Sequence, residues 1–251
     1  MSDIILGVDG TGPEDNTEYK SAFANSFVRS YCNDQAGFAF RNYWRGPALM
    51  GSETGMLADY TARLARAVYQ LLQDRTPAPR IFLTGFSRGG AAVIDAAHRL
   101  AGHDIPVHCL LLFDAVDRST KVGDRVDTIP SNVVTCYHAL RHPDADSRFY
   151  FGNCGTQWKA PTRYVSERFH CTHGAMGGTP NTQFSDDGYA QEDLGGSGGK
   201  VPAFAAGGLL GLHAHNEAAK TNVKQHQEKS EGARVRKWMD ANLTLAKSHV
   251  G

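Results

Sequence analysis

Residues 80–91 read RIFLTGFSRGGA, and this stretch decides the fold class. A short apolar run leads into the pattern G-x-S-x-G, formed by Gly85, Ser87 and Gly89, and a segment of small residues follows. Strand, sharp turn and helix in this order are typical of a nucleophile elbow, in which the turn presents the serine hydroxyl. Glycines flank the serine because a side chain there would collide with the strand or the helix. The pattern therefore predicts that Ser87 is a nucleophile.

A second interpretation of the same residues stays open. Glycine-rich turns between a strand and a helix are common in doubly wound sheets, and Ser87 would then be only a helix cap. In an elbow, by contrast, the N–H groups after the serine lie at a helix N-terminus, where a negatively charged oxygen is stabilised. Arg88 is the expected donor of the first such N–H group.

Composition narrows the class of function. The 251 residues carry 26 basic and 26 acidic side chains, so the formal net charge is zero and no nucleic-acid partner is expected. Five cysteines at scattered spacings indicate neither a disulfide framework nor a thiolate metal site, and we expect no metal and no cofactor. The N-terminus lacks the features of a signal peptide, and no apolar run reaches the ~18 residues of a transmembrane segment. The prediction is a protein made in the cytoplasm.

Apolar runs and amphipathic segments alternate along the chain. Strands are predicted at 4–8, 38–44, 80–85, 107–113, 133–137 and 163–169, and helices at 14–36, 53–74, 88–102 and 213–248. Such alternation predicts the α/β class, with a mostly parallel central sheet and helices on both faces. We expect a single domain over residues 1–251.

One segment breaks this alternation. Residues 174–200 are rich in Gly, Ser, Asn and Asp without any periodicity, and an apolar, glycine-rich stretch follows at 201–212. Long irregular pieces in a domain of this size are usually binding loops, lids or disordered insertions. We therefore expect a Gly-rich loop or lid at about 174–212.

A serine nucleophile needs a histidine to take its proton and a carboxylate to orient that histidine. In folds with this elbow the order along the chain is Ser, Asp or Glu, then His. Asp114 follows the apolar run 107–113 and is the predicted carboxylate, with Asp117 as the alternative. His173 starts a glycine-rich loop soon after the last predicted strand and is the predicted base, with His138 as the alternative.

The loop after the first predicted strand, DGTG at residues 9–12, is the expected source of a second oxyanion donor, from Gly10 or Thr11. Asp-Gly-Thr also occurs in a phosphatase signature, but that signature needs an Asp at position 7, which is Gly7 here. His170 and His173 have the spacing of a metal pair, yet no acidic or Cys partner lies at a useful distance along the chain.

Six short motifs together resemble one known family. They are VDGTG (8–12), YWRGP (43–47), GFSRGG (85–90), FDAVD (113–117), YHAL (137–140) and HGAMGG (173–178). In this order they are similar to a family of bacterial and fungal α/β-hydrolases that includes the phospholipase effectors of bacterial type VI secretion systems. The resemblance covers roughly residues 1–180.

This resemblance implies an α/β-hydrolase-like fold with Ser87, Asp114 and His173 as catalytic residues. It also implies a lipid substrate cleaved at its acyl esters, and delivery into a rival cell by a type VI system. An immunity protein and the secretion apparatus would then be partners. The residues themselves leave two other functions open, namely hydrolysis of a soluble ester or thioester, and a non-catalytic α/β domain that binds a ligand.

Overall fold

A computed structural model of the protein describes residues 2–48, 53–117, 124–148, 152–192 and 220–248. The strands in these residues are β1 (Ile4–Val8), β2 (Phe40–Trp44), β3 (Ile81–Phe86), β4 (Val107–Phe113), β5 (Thr128–Ile129), β6 (Val133–Arg141), β7 (Gln157–Trp158), β8 (Arg163–Phe169), β9 (Tyr189–Gln191) and β10 (Lys220–Lys224). The helices are α1 (Asn16–Ala22), α2 (Phe27–Asn33), α3 (Thr54–Leu72), α4 (Arg88–Ala101), α5 (His173–Met176) and α6 (Gln225–Ser248).

Six strands form one parallel sheet in the order β2-β1-β3-β4-β6-β8. Strands β1 and β3 are buried along their whole length, which explains their continuous apolar sequences. After β1 the chain continues to β2 at one edge of the sheet. After β3 it continues to β4, on the side of the other edge. A topological switch point therefore lies between β1 and β3, where open α/β sheets form ligand sites at the carboxyl ends of their strands.

Helices cover both faces of this sheet, so the predicted fold class is confirmed. Successive side chains of a strand point to opposite faces. Leu110 and Leu112 pack in the layer that contains α3 and α4, whereas Leu111 and Phe113 pack in the layer that contains α1, α2 and α6. Each fully buried leucine contributes about 2 kcal/mol. Both layers thus hold the strand ends, and the loops they carry, in fixed positions.

Several predicted elements differ in detail from the structure, and the helix predicted at 14–36 forms as two helices, α1 and α2. The helix predicted at 53–74 forms as α3, but two of its large apolar side chains, Tyr60 and Leu71, are 48% and 80% exposed. The buried face of α3 instead includes three alanines, Ala58, Ala62 and Ala65, which pack in the layer shared with α4. The strand predicted at 133–137 continues as β6 to Arg141, so His138 lies within it and not at its end.

The glycine-rich segment predicted at 174–212 is partly ordered structure. It contains most of α5 and all of β9, and β9 pairs antiparallel with β10. Strand β10 was predicted as the beginning of the last helix, which instead starts at Gln225. Residues 193–219, where most of the predicted loop or lid falls, lie outside the described residues.

The five cysteines are all buried and unpaired, and Cys109 and Cys136 are core residues. Helix α6 packs against the sheet through Val235, Met239 and Leu243. Within the described ranges, no helix is long and apolar enough to span a bilayer.

Candidate active site

Ser87 occupies a strained turn between β3 and α4. Its backbone angles are φ 55° and ψ −128°, a combination that costs free energy for a residue with a side chain. The end of β4 holds this conformation, because the Ser87 N–H donates to Phe113 O at 3.1 Å and the Ser87 carbonyl accepts the Val116 N–H at 3.2 Å. The Ser87 side chain makes no capping bond to α4, which contradicts the interpretation of Ser87 as a helix cap.

The flanking glycines are required by close contacts. A Cβ atom on Gly85 would lie 2.5 Å from the Gly89 carbonyl oxygen, and one on Gly89 would lie 2.1 Å from the Val8 carbonyl oxygen. Contacts this short exclude any side chain at either position. The elbow geometry inferred from the sequence is therefore present, and Gly89 seats the start of α4 directly against the end of β1.

The structure brings the three predicted catalytic residues into one hydrogen-bonded chain. His173 Nε2 lies 2.9 Å from Ser87 Oγ. The other ring nitrogen, His173 Nδ1, lies 2.6 Å from Asp114 Oδ2. An ionised carboxylate can only accept hydrogen bonds, so Nδ1 carries the proton and Nε2 is free to accept the Ser87 hydroxyl proton. This is the arrangement that a general base for Ser87 requires.

Asp114 is a buried, ionised carboxylate held by three side chains. It is fully buried, and its Oδ1 accepts the Asn153 side-chain amide at 2.6 Å. Its Oδ2 lies 2.7 Å from Arg141 Nε. Burial alone would raise the pKa of Asp114, but Arg141, His173 and Asn153 outweigh burial and hold the pKa well below its usual range.

His173 is neutral in its surroundings. Burial lowers its pKa from the ordinary value of 6.5, the charges of Arg141 and Arg148 lower it further, and Asp114 acts in the opposite direction. The Phe86 ring lies 4.8 Å from the imidazole, centre to centre, and covers part of it. A neutral imidazole beside the serine can act as a base without first losing a proton.

The loop that carries His173 is fixed from two sides. The backbone N–H of His173 donates to Ser147 Oγ at 2.7 Å, and Ser147 in turn donates to Glu192 Oε1 at 2.7 Å. On the other side, Glu228 of α6 accepts the N–H and hydroxyl of Thr172 at 2.9 and 2.6 Å. All of these polar groups are buried and paired, so they orient the histidine firmly.

The DGTG loop lies against the serine. A Cβ on Gly10 would be 3.2 Å from Ser87 Cβ and 2.8 Å from the Phe86 ring. The Gly10 N–H already donates to Asp9 Oδ1 at 3.0 Å, and the Gly10 carbonyl accepts the Tyr19 hydroxyl at 2.8 Å. Within the described residues, Thr11 makes no hydrogen bond through its N–H or its buried hydroxyl. Among the described residues, the Thr11 donors therefore have no partner, whereas the Gly10 N–H is already engaged by Asp9.

Asp9 holds the DGTG loop in place through its buried carboxyl group. It is completely buried, and its Oδ2 accepts the Tyr43 hydroxyl at 3.0 Å. Burial raises the pKa of Asp9 to about 6, despite hydrogen bonds from Ser26, Gly10 and Tyr43. The Asp9 carboxylate therefore orients the Gly10 peptide behind the elbow.

The two alternative residues fall elsewhere. His138 is a core histidine, whose Nε2 accepts the Ala115 N–H at 3.2 Å and whose Nδ1 lies 3.3 Å from the Gly155 carbonyl. Burial lowers its pKa to about 4, so it stays neutral and supports the turn that follows Asp114. The carboxylate bonded to His173 belongs to Asp114 rather than to Asp117.

Several residues of the site escaped the sequence interpretation. They are Arg141, Asn153, Ser147, Glu192 and Glu228. Arg141 alone had a usable signal, because it is a charge placed at the end of an apolar strand. The part of the chain that the structure describes holds no cluster of three His, Cys, Asp or Glu side chains suited to a metal ion, so the pair His170 and His173 has no such partners there.

No protein-family model and no curated protein matches the chain. Among solved structures, an uncharacterized protein from Pseudomonas aeruginosa is similar over 99% of this chain, at 14% identity and a TM-score of 0.48, and the chain spans 51% of that protein. Human thioesterase 2 is similar over 69% of this chain and 87% of its own, at 9% identity and a TM-score of 0.36. A cutinase-like protein from Cryptococcus sp. is similar over 66% and 75%, at 16% identity and a TM-score of 0.29.

The type VI effector family is not among these matches, and membership of it stays a prediction. The six-stranded parallel sheet, its two helical layers and the serine elbow after β3 show the fold by themselves. The chain has an α/β-hydrolase-like fold.

Proposed function

We propose that the chain is a serine hydrolase that cleaves acyl esters, with Ser87 as nucleophile, His173 as base and Asp114 as the orienting carboxylate. The observation that carries this proposal is the hydrogen-bonded chain from Ser87 Oγ through His173 to Asp114, at 2.9 and 2.6 Å. These residues come from three different strand ends and meet at one point. A buried hydroxyl, imidazole and carboxylate in this order form an activated nucleophile.

The proposed reaction has two halves. His173 Nε2 takes the hydroxyl proton while Ser87 Oγ bonds to the ester carbonyl carbon, and the imidazolium then protonates the departing alcohol. A water molecule repeats these steps on the acyl-enzyme and releases the carboxylic acid. Asp114 keeps the imidazole in the required tautomer and stabilises its charged form.

Two backbone N–H groups would stabilise the oxyanion. One belongs to Arg88, the first residue of α4, where the helix dipole also favours negative charge. The second belongs to Thr11, in the loop that lies against Ser87. Each such donor typically lowers the barrier by about 3 to 4 kcal/mol.

For the substrate we propose the acyl ester of a phospholipid, and for the biological role an antibacterial effector of a type VI system. The six motifs shared with that effector family support both proposals. An immunity protein and a component of the secretion apparatus would be the partners. A soluble carboxylesterase or thioesterase would use the same site, and a non-catalytic binding domain would leave Ser87 unreactive.

Labelling with a fluorophosphonate tests the nucleophile. We expect the wild-type protein to be labelled on Ser87, and Ser87→Ala and His173→Gln to lose labelling. Ser230→Ala, which removes an exposed hydroxyl on α6, is the matched control and should label like the wild type. Equal labelling of wild type and Ser87→Ala would refute the proposal, and no labelling of a folded wild type would favour the non-catalytic alternative.

Hydrolysis of phospholipid vesicles, compared with that of a short soluble ester, tests the substrate. We expect fatty acid release from vesicles by the wild type and none by Ser87→Ala. Activity confined to the soluble ester would overturn the phospholipid proposal and keep the hydrolase. The effector role predicts that expression directed to the bacterial periplasm stops growth for the wild type only, and equal growth of both strains would contradict it.

A further inference from the structure

An arginine shares the carboxylate of the proposed triad. Arg141 Nε lies 2.7 Å from Asp114 Oδ2, the same oxygen that lies 2.6 Å from His173 Nδ1. Arg141 is 7% exposed, and its backbone N–H donates to Asp114 Oδ1 at 3.3 Å. Both its side chain and its backbone are therefore part of the site. The chemistry of a Ser-His-Asp triad does not require this guanidinium.

Arg141 also connects the carboxylate to the loop that holds the histidine. Its Nη1 donates to the carbonyl oxygens of Ser147 and Arg148 at 2.8 and 3.2 Å. Ser147 in turn accepts the His173 N–H at 2.7 Å. One guanidinium thus fixes both groups that orient the imidazole.

We propose that Arg141 is a positioning residue that divides the Asp114 charge between itself and His173, and thereby keeps the histidine available as a base in mildly acidic solution. The proposal rests on the serine-hydrolase function proposed above. A carboxylate with one partner stabilises the imidazolium fully, whereas a carboxylate already paired with a guanidinium stabilises it less. The protonated form of His173 is therefore populated only at lower pH.

The other charges around His173 do not provide this effect alone. The groups that face it or its loop are Asp114 from the end of β4, Arg141 from the end of β6, Arg148 from the following turn, Glu192 through Ser147, and Glu228 of α6 through Thr172. The two glutamates bind backbone and hydroxyl groups rather than the ring. Arg148 lowers the pKa of His173 in the same direction as Arg141, but it pairs with Glu192 at 3.8 Å.

The decisive measurement is the pKa of His173 by NMR of histidine-labelled protein, with the resonance assigned through His173→Gln. We expect the wild-type His173 to titrate below the ordinary value, and Arg141→Met to raise its pKa by roughly one unit. Arg141→Lys keeps a positive charge near Oδ2 and should leave the pKa low. Arg163→Met removes an exposed charge at the far end of β8 and should change nothing.

The rate of fluorophosphonate labelling falls at low pH, when His173 becomes protonated, and this fall should shift with the His173 pKa. At low pH we expect Arg141→Met to be labelled about tenfold more slowly than the wild type, and at high pH we expect the two proteins to be labelled at similar rates. If Arg141→Met does not fold, Arg141→Gln replaces it, because glutamine keeps an N–H donor without the charge. A wild-type His173 pKa at or above the ordinary value, or an unchanged pKa in a folded neutral variant, overturns the proposal. Absence of labelling in all variants would instead refute the hydrolase function, since the NMR titration does not depend on activity.

Discussion

His173 Nδ1 lies 2.6 Å from Asp114 Oδ2, although 59 residues separate the two along the chain. Asp114 has a left-handed backbone, with φ 44°, and its N–H donates to the Ala139 carbonyl at 2.8 Å. Neighbouring strands thus direct the carboxylate toward the histidine loop. The short distance between two buried groups makes this contact the one on which the proposed chemistry most depends.

Asp114→Asn should lower kcat by about 10⁴-fold, because an amide leaves the imidazole free to adopt the wrong tautomer. It would also leave the buried Arg141 without its charged partner. Asp117→Asn is the matched variant and should retain activity, since the carboxylate that contacts His173 is that of Asp114. Steady-state hydrolysis of a soluble ester measures both. Equal losses in the two variants would contradict the assignment of Asp114.

Thr11→Val tests whether the Thr11 hydroxyl donates to the oxyanion in addition to the Thr11 backbone N–H, which valine keeps. The Thr11 hydroxyl is buried without a partner in the described residues, so its removal should not reduce stability, and a loss of activity would not be a consequence of unfolding. We expect kcat to fall about tenfold, while the free energy of unfolding is kept or rises by about 1 kcal/mol.

Thr84→Val is the control for Thr11→Val. Thr84 lies in β3 and also has a buried hydroxyl that lacks a partner among the described residues. The control should match the stability of Thr11→Val and keep wild-type kcat. An unchanged kcat in Thr11→Val would show that the hydroxyl does not stabilise the oxyanion, and the backbone N–H would then be the donor that Thr11 supplies.

Ser147→Ala should loosen the histidine loop. The variant loses the acceptor for the His173 N–H and one donor to the buried Glu192. We expect kcat to fall about tenfold at unchanged KM, with a loss of about 1 to 2 kcal/mol in unfolding free energy. Ser230→Ala on the surface of α6 should change neither. A raised KM with normal kcat would mean that Ser147 contacts substrate instead.

Asp9→Asn should change how stability depends on pH. The folded pKa of Asp9 is raised to about 6 by burial, so the stability that its protonated form contributes is complete at low pH. That stability is lost as pH rises from the unfolded pKa of 3.8 to the folded pKa of about 6, because the unfolded chain releases the proton while the buried carboxyl still holds it. Relative to Asp9→Asn, the wild type should lose about 3 kcal/mol between about pH 4 and pH 7.

Urea unfolding at several pH values measures the Asp9 effect. Asp74→Asn, which changes an exposed carboxylate in the turn after α3, should show the same pH dependence as the wild type. Parallel stability curves for wild type and Asp9→Asn would show that Asp9 titrates as it does in the unfolded chain.

Local sequence patterns were sufficient to predict the parallel sheet and the elbow at Ser87. Continuous apolar runs such as 4–8 and 107–113 are typical of buried parallel strands, and the glycines around Ser87 are needed because nearby backbone leaves no room for a Cβ atom. The order Ser87, Asp114, His173 also follows from the chain, because catalytic groups in such folds come at successive strand ends. The end of β6 was misplaced, since Arg141 is polar and yet buried in the sheet.

The sequence by itself determined the α/β class, the nucleophile candidate and a short set of candidates for its base and its carboxylate. These depend on short-range patterns, namely apolar periodicity, glycine sterics and position after a strand. Only the tertiary structure decided the rest. The sharing of Asp114 between His173 and Arg141, the choice of His173 over His138, and the support from Ser147 and Glu228 are contacts between distant segments. Such contacts depend on how the packed layers bring strand ends together, and no local pattern in the chain records that.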